Sequence, residues 1–194
     1  MGFNLAILIS GHGSNMLNLV DACEKKILSS QIKVIISDNK LSKGINLIKH
    51  KYKAVVVDKD GLSKKDFENK IKLILEKENI DLVCLAGFMT ILSKDFLLNW
   101  ENKVLNIHPS LLPSFRGKNA VDQALRKGVK FTGCTVHIVD SGIDTGTILD
   151  QEIVKVLKND STDSLKKKIL KKEHYLYIKV IKKLEKYFKN GKDR

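Results

Sequence analysis

Five short runs of apolar, often β-branched residues constrain this chain more than any other feature. They are NLAILIS (4–10), KVIISD (33–38), AVVVD (54–58), DLVCLAG (81–87) and VLNIH (104–108). Each is near-continuous rather than alternating, so both faces of each strand must be covered. That is the condition of a parallel sheet sandwiched between helices. Helical patterns fill the gaps at about 14–28, 42–50, 63–79 and 93–99, and Ser63 with Asp66 three residues on reads as a capping-box start. Strand–helix alternation of this kind gives an open α/β sheet with right-handed crossovers. After residue 118 the pattern changes. A short helix at about 119–127 ends at Gly128, and two runs follow, TGCTVHIVD (132–140) and TILDQEIVKV (147–156), joined by SGIDTG. Two glycines in that joint predict a hairpin or tight return. The last segment, 161–188, reads as a long basic helix with an apolar stripe of Leu165, Ile169, Leu176, Val180 and Leu184. The tail, 189–194, is expected to fray. The expectation is therefore one domain over 1–188: an open, mostly parallel, twisted α/β sheet of about seven strands with helices on both faces, antiparallel strands near the C-terminus and a long final helix.

Composition excludes several classes. With 194 residues, 43% of them hydrophobic, the chain can bury one sizeable core. Cys23, Cys84 and Cys134 are three and widely spaced, which gives no disulfide framework and no metal knuckle. They read as buried thiols in a reducing cytoplasm. FNLAILIS is far shorter than the roughly 20 residues a bilayer span needs, lacks a basic leader and runs into a glycine loop. It reads as a strand rather than a signal peptide. Ala6 also misses the Ser or Thr of the N-myristoylation pattern. The formal charge is +13, but the lysines are spread along the chain and aromatics are only 6%, so no nucleic-acid-binding block is indicated. A solvated lysine surface that helps attract an anionic small molecule fits better.

Four features bear chemistry. SGHGSN (10–15) follows the first strand and opens the first helix. Glycines there let the backbone approach a ligand, and the free N–H groups and dipole of the helix favour an anion. Met16 stands where a dinucleotide fingerprint needs Gly or Ala, and the Walker Gly-Lys-Ser/Thr is absent, so a single phosphate fits better than a pyrophosphate. The other reading is an ordinary turn with Ser14 or Asn15 as N-cap. Asn106 and His108 share one face at the carboxyl end of a central strand, the edge where ligands bind in open α/β sheets. The chain's only prolines, Pro109 and Pro113, stiffen the loop that follows. An amide donor beside a group that titrates near neutrality suits oxyanion stabilisation and proton transfer, although a lone strand histidine is commonly structural. Asp144 in SGIDTG is a turn former unless the hairpin brings it to His108, whose pKa it would then raise. Glu173 falls on the apolar stripe of the last helix, so it either pairs with a lysine or reaches a cleft and accepts bonds from hydroxyls. His12, His50, His137 and His174 have no ligand-like spacing, so no metal is expected. His137, in an alternating strand, reads as structural. No nucleophile elbow and no Cys–His pairing is evident.

LISGHGSN, LAGFMTILS, LNIHPSLLPSFRG, GCTVHIVDSGIDTG and KKEH together resemble, in order and spacing over about 4–188, the phosphoribosylglycinamide formyltransferases of purine synthesis. AGFM and NIHPSLLP are specific to the wider folate-dependent formyltransferase superfamily. The resemblance implies a formyltransferase-like fold with a phosphate-binding Rossmann-like half (1–100) and a folate-binding, catalytic half (101–188). It implies transfer of the formyl group of 10-formyltetrahydrofolate, a co-substrate, to an amine. It makes Asn106, His108 and Asp144 the catalytic set and puts the substrate phosphate on Gly13, Ser14 and Asn15, with Glu173 at the ribose. The folate would lie on Met89, Thr90, Ile91, Leu92, Asn106 and Val139, Asp140, Ser141, Gly142, Ile143, Asp144, with Lys64 near its tail. The chain departs from the family pattern at Thr90 (commonly basic), Val121 (often His), Ile138 (commonly aromatic) and Thr147 (commonly Pro). The partners implied are small molecules, with no nucleic acid and no membrane, for a monomer or weak homodimer in the cytoplasm. Related alternatives are a methionyl-tRNA formyltransferase, which would carry an RNA-binding domain, and a formyltetrahydrofolate hydrolase, which would carry a regulatory one. A non-catalytic folate- or nucleotide-binding module is the alternative of another class.

Overall fold

A computed structural model describes residues 2–192. The chain runs β1 (Asn4–Ile9), α1 (Ser14–Glu24), β2 (Gln31–Ser37), α2 (Lys43–Ile48), β3 (Ala54–Val56), α3 (Lys64–Lys77), β4 (Leu82–Leu85), α4 (Lys94–Asn99), β5 (Val104–His108), α5 (Ala120–Arg126), β6 (Phe131–Ile138), β7 (Ile148–Lys155) and α6 (Thr162–Lys192). The strands form one seven-stranded sheet in the order β3-β2-β1-β4-β5-β6-β7. Pairing is parallel from β3 through β5 and antiparallel from β5 through β7. The expected α/β sheet with its C-terminal hairpin is therefore present.

The apolar runs are continuous because the sheet is covered twice. On one face Leu5, Ile7, Ile9, Cys84, Leu105 and Ile107 pack with α1, α2, α5 and α6. On the other, Ala6, Leu8, Val34, Ile36, Val83 and Val104 pack with α3 and α4. Each fully buried side chain of this kind contributes about 1.5–3 kcal/mol. Ser63 caps α3 as expected, accepting from the Asp66 N–H at 3.1 Å and donating its hydroxyl to the Asp66 carboxylate. A cap of this kind contributes about 1 kcal/mol.

Helix α6 runs through Lys192, past the end expected at 188. The remainder of the tail lies outside the described residues. The helix carries two carboxylates on its buried face, Glu173 and Glu185. Glu185 accepts from the Ser29 and Ser30 N–H groups and from the Ser30 hydroxyl, which pins the α1–β2 turn. Tyr177, fully buried, places its hydroxyl 3.1 Å from the carbonyls of both Leu85, the last residue of β4, and Leu105, the second of β5. Among the described residues no helix is long and apolar enough to cross a membrane.

Sheet order decides where a ligand can enter. The chain leaves β1 toward β2 and β3, then returns to the other side of β1 at β4. Connections therefore depart in opposite directions, and the loops after β1 and β4 part at their carboxyl ends. This reversal is the usual ligand crevice of open α/β sheets.

Candidate active site

The loop after β1 turns at Gly13, which caps α1 with φ 75°, a left-handed conformation. A Cβ there would also lie 2.7 Å from the Met16 Cε and 3.2 Å from the Gly44 Cα, so both backbone and space call for glycine. Neither Ser14 nor Asn15 is the N-cap, and no side chain caps this helix. The N–H groups of its first turn are left for a ligand. Asn15 is buried beneath the loop. Its Nδ2 donates to Glu173 Oε2 at 2.8 Å, while its Oδ1 has no partner among the described residues. The loop heads a cavity of about 540 Å³ lined by residues 10–15, Asp38, Asn39, Asp58, Lys59, Asp60, Ala86, Gly87 and Met89. Glu173 is not in that lining and meets the cavity through Asn15.

A second, smaller cavity of about 100 Å³ adjoins it across Met89. It is lined by Met89, Thr90, Ile91 and Leu92 on one side and by Val139, Asp140, Gly142, Ile143 and Asp144 on the other, with Asn106 and His137 at its base. Ten of the folate positions implied by sequence thus face one cleft. Ser141 and Lys64, the first residue of α3, are in neither lining.

Asn106, His108 and Asp144 do converge, through pairing of β5 with β6. Asp144 sits on the β6–β7 loop with φ 51°, a conformation Asp tolerates better than most residues. Its Oδ2 accepts from the Gly117 N–H at 2.8 Å and lies 3.2 Å from His108 Nδ1. His108 Nε2 is 2.9 Å from the Phe115 carbonyl, which can only accept, so Nε2 carries a proton. The stiff 109–117 loop thereby fixes the ring. Its Leu112–Pro113 bond is cis, and Thr135 ties it down by donating to Ser110 O and accepting from Leu112 N–H.

His137, read from sequence as structural, belongs to this group. In the antiparallel register it stands opposite Asn106. Its Nδ1 donates to Ile138 O at 2.9 Å, which leaves Nε2 as the acceptor for Asn106 Nδ2 at 3.2 Å. The same Nε2 is 3.5 Å from Asp144 Oδ1. Only strand pairing makes this contact, and no spacing in the sequence encodes it. The usable signal is a histidine in a buried strand that also carries Thr132 and Thr135.

The electrostatics differ from expectation at His108. Asp144 does pull its pKa upward, as does the Phe115 carbonyl, but burial outweighs both and holds it below the ordinary histidine value. Burial pushes Asp144 up. The neighbouring His137 ring, the Gly117 N–H and the His108 imidazole prevail, and together hold it below the usual carboxylate range. At neutral pH an ionised carboxylate thus faces a bare imidazole nitrogen at 3.2 Å, an arrangement able to take up a proton. Burial also raises the thiols, Cys23 to about 11 and Cys84 and Cys134 to about 12, which makes them poor nucleophiles.

Glu173 is held above its ordinary carboxylate value by burial, against the bond from Asn15. The unfolded chain therefore ionises this group more readily than the folded one. Stability is lost as pH rises from the ordinary value near 4.5 through the raised one. Glu173→Gln keeps an acceptor for Asn15 and removes the charge. Its melting temperature should exceed the parent's by about 2–4 °C at pH 8, with the gain shrinking toward pH 5. A pH-independent difference in thermal scans would contradict this account.

Comparison with known proteins assigns the chain to a family. A family model described as formyl transferase matches residues 3–181. The trifunctional purine biosynthetic protein adenosine-3 of Homo sapiens is 43% identical over 184 residues, 89% of this chain. The chain spans only 17% of that protein's length. Among solved structures, glycinamide ribonucleotide transformylase 1 from Geobacillus kaustophilus superposes with a TM-score of 0.91 at 37% identity, covering 95% of this chain and all of that one. Phosphoribosylglycinamide formyltransferase from Anaplasma phagocytophilum superposes with a TM-score of 0.88 at 40% identity, covering 94% and 86%. With a family match over nearly its whole length and solved relatives this similar, the chain belongs to the formyl transferase family.

Proposed function

We propose that this protein transfers the formyl group of 10-formyltetrahydrofolate to the amine of 5′-phosphoribosylglycinamide, in purine biosynthesis. The observation that carries this reading is the pair of cavities meeting at Met89. One is headed by an uncapped helix N-terminus, the other is floored by Asn106, His137 and Asp144. An acceptor bound by its phosphate in the first would extend its amine to a formyl group held in the second. The names of the solved relatives point to the same reaction.

In this reading the N–H groups and side chains at Gly13, Ser14 and Asn15 hold the phosphate, and Glu173 orients Asn15 beneath the ribose. Met89 to Leu92 and Val139 to Asp144 enclose the folate ring, with Lys64 toward its tail. The amine attacks the formyl carbon, and the carbonyl oxygen becomes an oxyanion. Asn106 Nδ2 keeps one N–H on His137 and turns the other to that oxygen. A donor so placed is worth roughly 3–4 kcal/mol of barrier. The amine loses a proton to Asp144, which shares it with His108 Nδ1. The same proton goes to N10 as the carbon–nitrogen bond to the folate breaks, so charge and protons balance. The step uses no covalent enzyme intermediate. In the same reading the protein is a cytoplasmic enzyme of small molecules, a monomer or weak homodimer without a nucleic-acid partner; lysines spread along the chain rather than gathered in a block favour the last point.

The test is formyl transfer from 10-formyltetrahydrofolate to three acceptors: phosphoribosylglycinamide, charged initiator tRNA and water. Turnover with phosphoribosylglycinamide should exceed the others by about 10²-fold or more, since a site built around one acceptor leaves buried polar groups unpaired with another. Faster transfer to tRNA or to water overturns the assignment.

A further inference from the structure

Thr90, in the wall of the second cavity, departs from the basic residue common at its position, and its hydroxyl is engaged by a neighbouring carboxylate. It donates to Asp38 Oδ2 at 2.6 Å. Asp38 follows β2 and is 1% exposed, and its Oδ1 has no partner among the described residues. Burying a carboxylate on a single protein hydrogen bond is unfavourable for folding alone. What the bond does is geometric. Strand order places β1 between β2 and β4, so the Asp38–Thr90 bond reaches over the end of β1, beside the glycine loop. It ties the start of α2's approach loop to the irregular segment between β4 and α4. That segment has a second tie, from the Met89 N–H to Ser10 Oγ at 2.8 Å. Between the two ties and the buried Phe88 and Leu92, Met89 and Ile91 are held 60% and 56% exposed, apolar side chains turned to the cleft.

We propose that Asp38 is a positioning residue for the co-substrate. Through Thr90 it fixes the Met89–Leu92 wall against which the folate ring lies, and so sets the separation of the two cavities. This rests on the formyl-transfer reading above. The role is separable from stability because an apolar pair can replace a buried polar pair at little cost, whereas removing one partner strands the other.

Three variants test it with steady-state kinetics and thermal melting. Thr90→Val strands the Asp38 carboxylate. Its KM for 10-formyltetrahydrofolate should rise about tenfold, the equivalent of one lost hydrogen bond, with kcat less affected and the melting temperature lowered. The double variant Asp38→Leu/Thr90→Val should recover the melting temperature and keep the raised KM. Thr90→Ser, which retains the hydroxyl, should recover most of the lost affinity. A double variant whose folate KM returns to the parent value along with its stability overturns the proposal and leaves the bond a structural one. An unchanged KM in Thr90→Val overturns it as well. A parent enzyme with no saturable dependence on the folate overturns both this proposal and the functional reading beneath it.

Discussion

Asp144→Asn should lower kcat by about 10³-fold, within the range for loss of a positioned acid–base group, and change either KM less than threefold. The substitution keeps the shape and can still accept from the Gly117 N–H through its amide oxygen. It removes the charge that faces His108 Nδ1 and His137 Nε2, and it replaces a proton carrier with a group that does not titrate. The pH profile separates this from simple misplacement. Burial holds His108 below the ordinary histidine value, and Asp144 opposes that by pulling it up. Parent activity should therefore fall on the acid side, below about pH 6.5, as His108 fills with the proton the relay needs to accept. With Asp144 neutralised the upward pull disappears, so the residual acid limb must move to lower pH. An acid limb that stays in place or moves up would show that Asp144 and His108 do not titrate as one unit.

The architecture was legible because its signals are local. Residues 4–9 are apolar at nearly every position since β1 is covered on both faces, and no other fold class asks that of five successive strands. The hairpin at SGIDTG and the Ser63 cap are likewise written within a few residues of where they act. Strand ends were less legible. The AVVVD run predicts five residues of strand, and the sheet uses three, because only Ala54, Val55 and Val56 have partners on β2. The site divides along the same line. Asn106 and His108 follow from strand parity, and the phosphate-type loop follows from glycine spacing. The contact of Asp144 with His108, the place of His137 and the Asn15–Glu173 pair across 158 residues come from register and helix docking, which no local pattern carries. The pull of Asp144 on His108 was legible, but the net direction of the shift was not, for a related reason. Proximity to a carboxylate can be guessed from a motif, whereas burial depends on everything packed around the ring, including the 109–117 loop.

Asn106→Ala should lower kcat by about 10²–10³-fold, the loss expected for one oxyanion donor. The KM for phosphoribosylglycinamide should be nearly unchanged, because the donor acts on charge that develops only in the transition state. Asn106→Asp separates the donor from the mere presence of a polar group. It is nearly isosteric, yet an ionised carboxylate donates nothing to an oxyanion and adds a negative charge to a pocket that already holds Asp144. It also turns an acceptor toward His137 Nε2, which is itself an acceptor while its Nδ1 proton stays on the Ile138 carbonyl. Asn106→Asp should therefore be no more active than Asn106→Ala at pH 7.5. If Asn106→Asp instead exceeds Asn106→Ala at pH 7.5, the side chain acts by packing rather than as the oxyanion's donor.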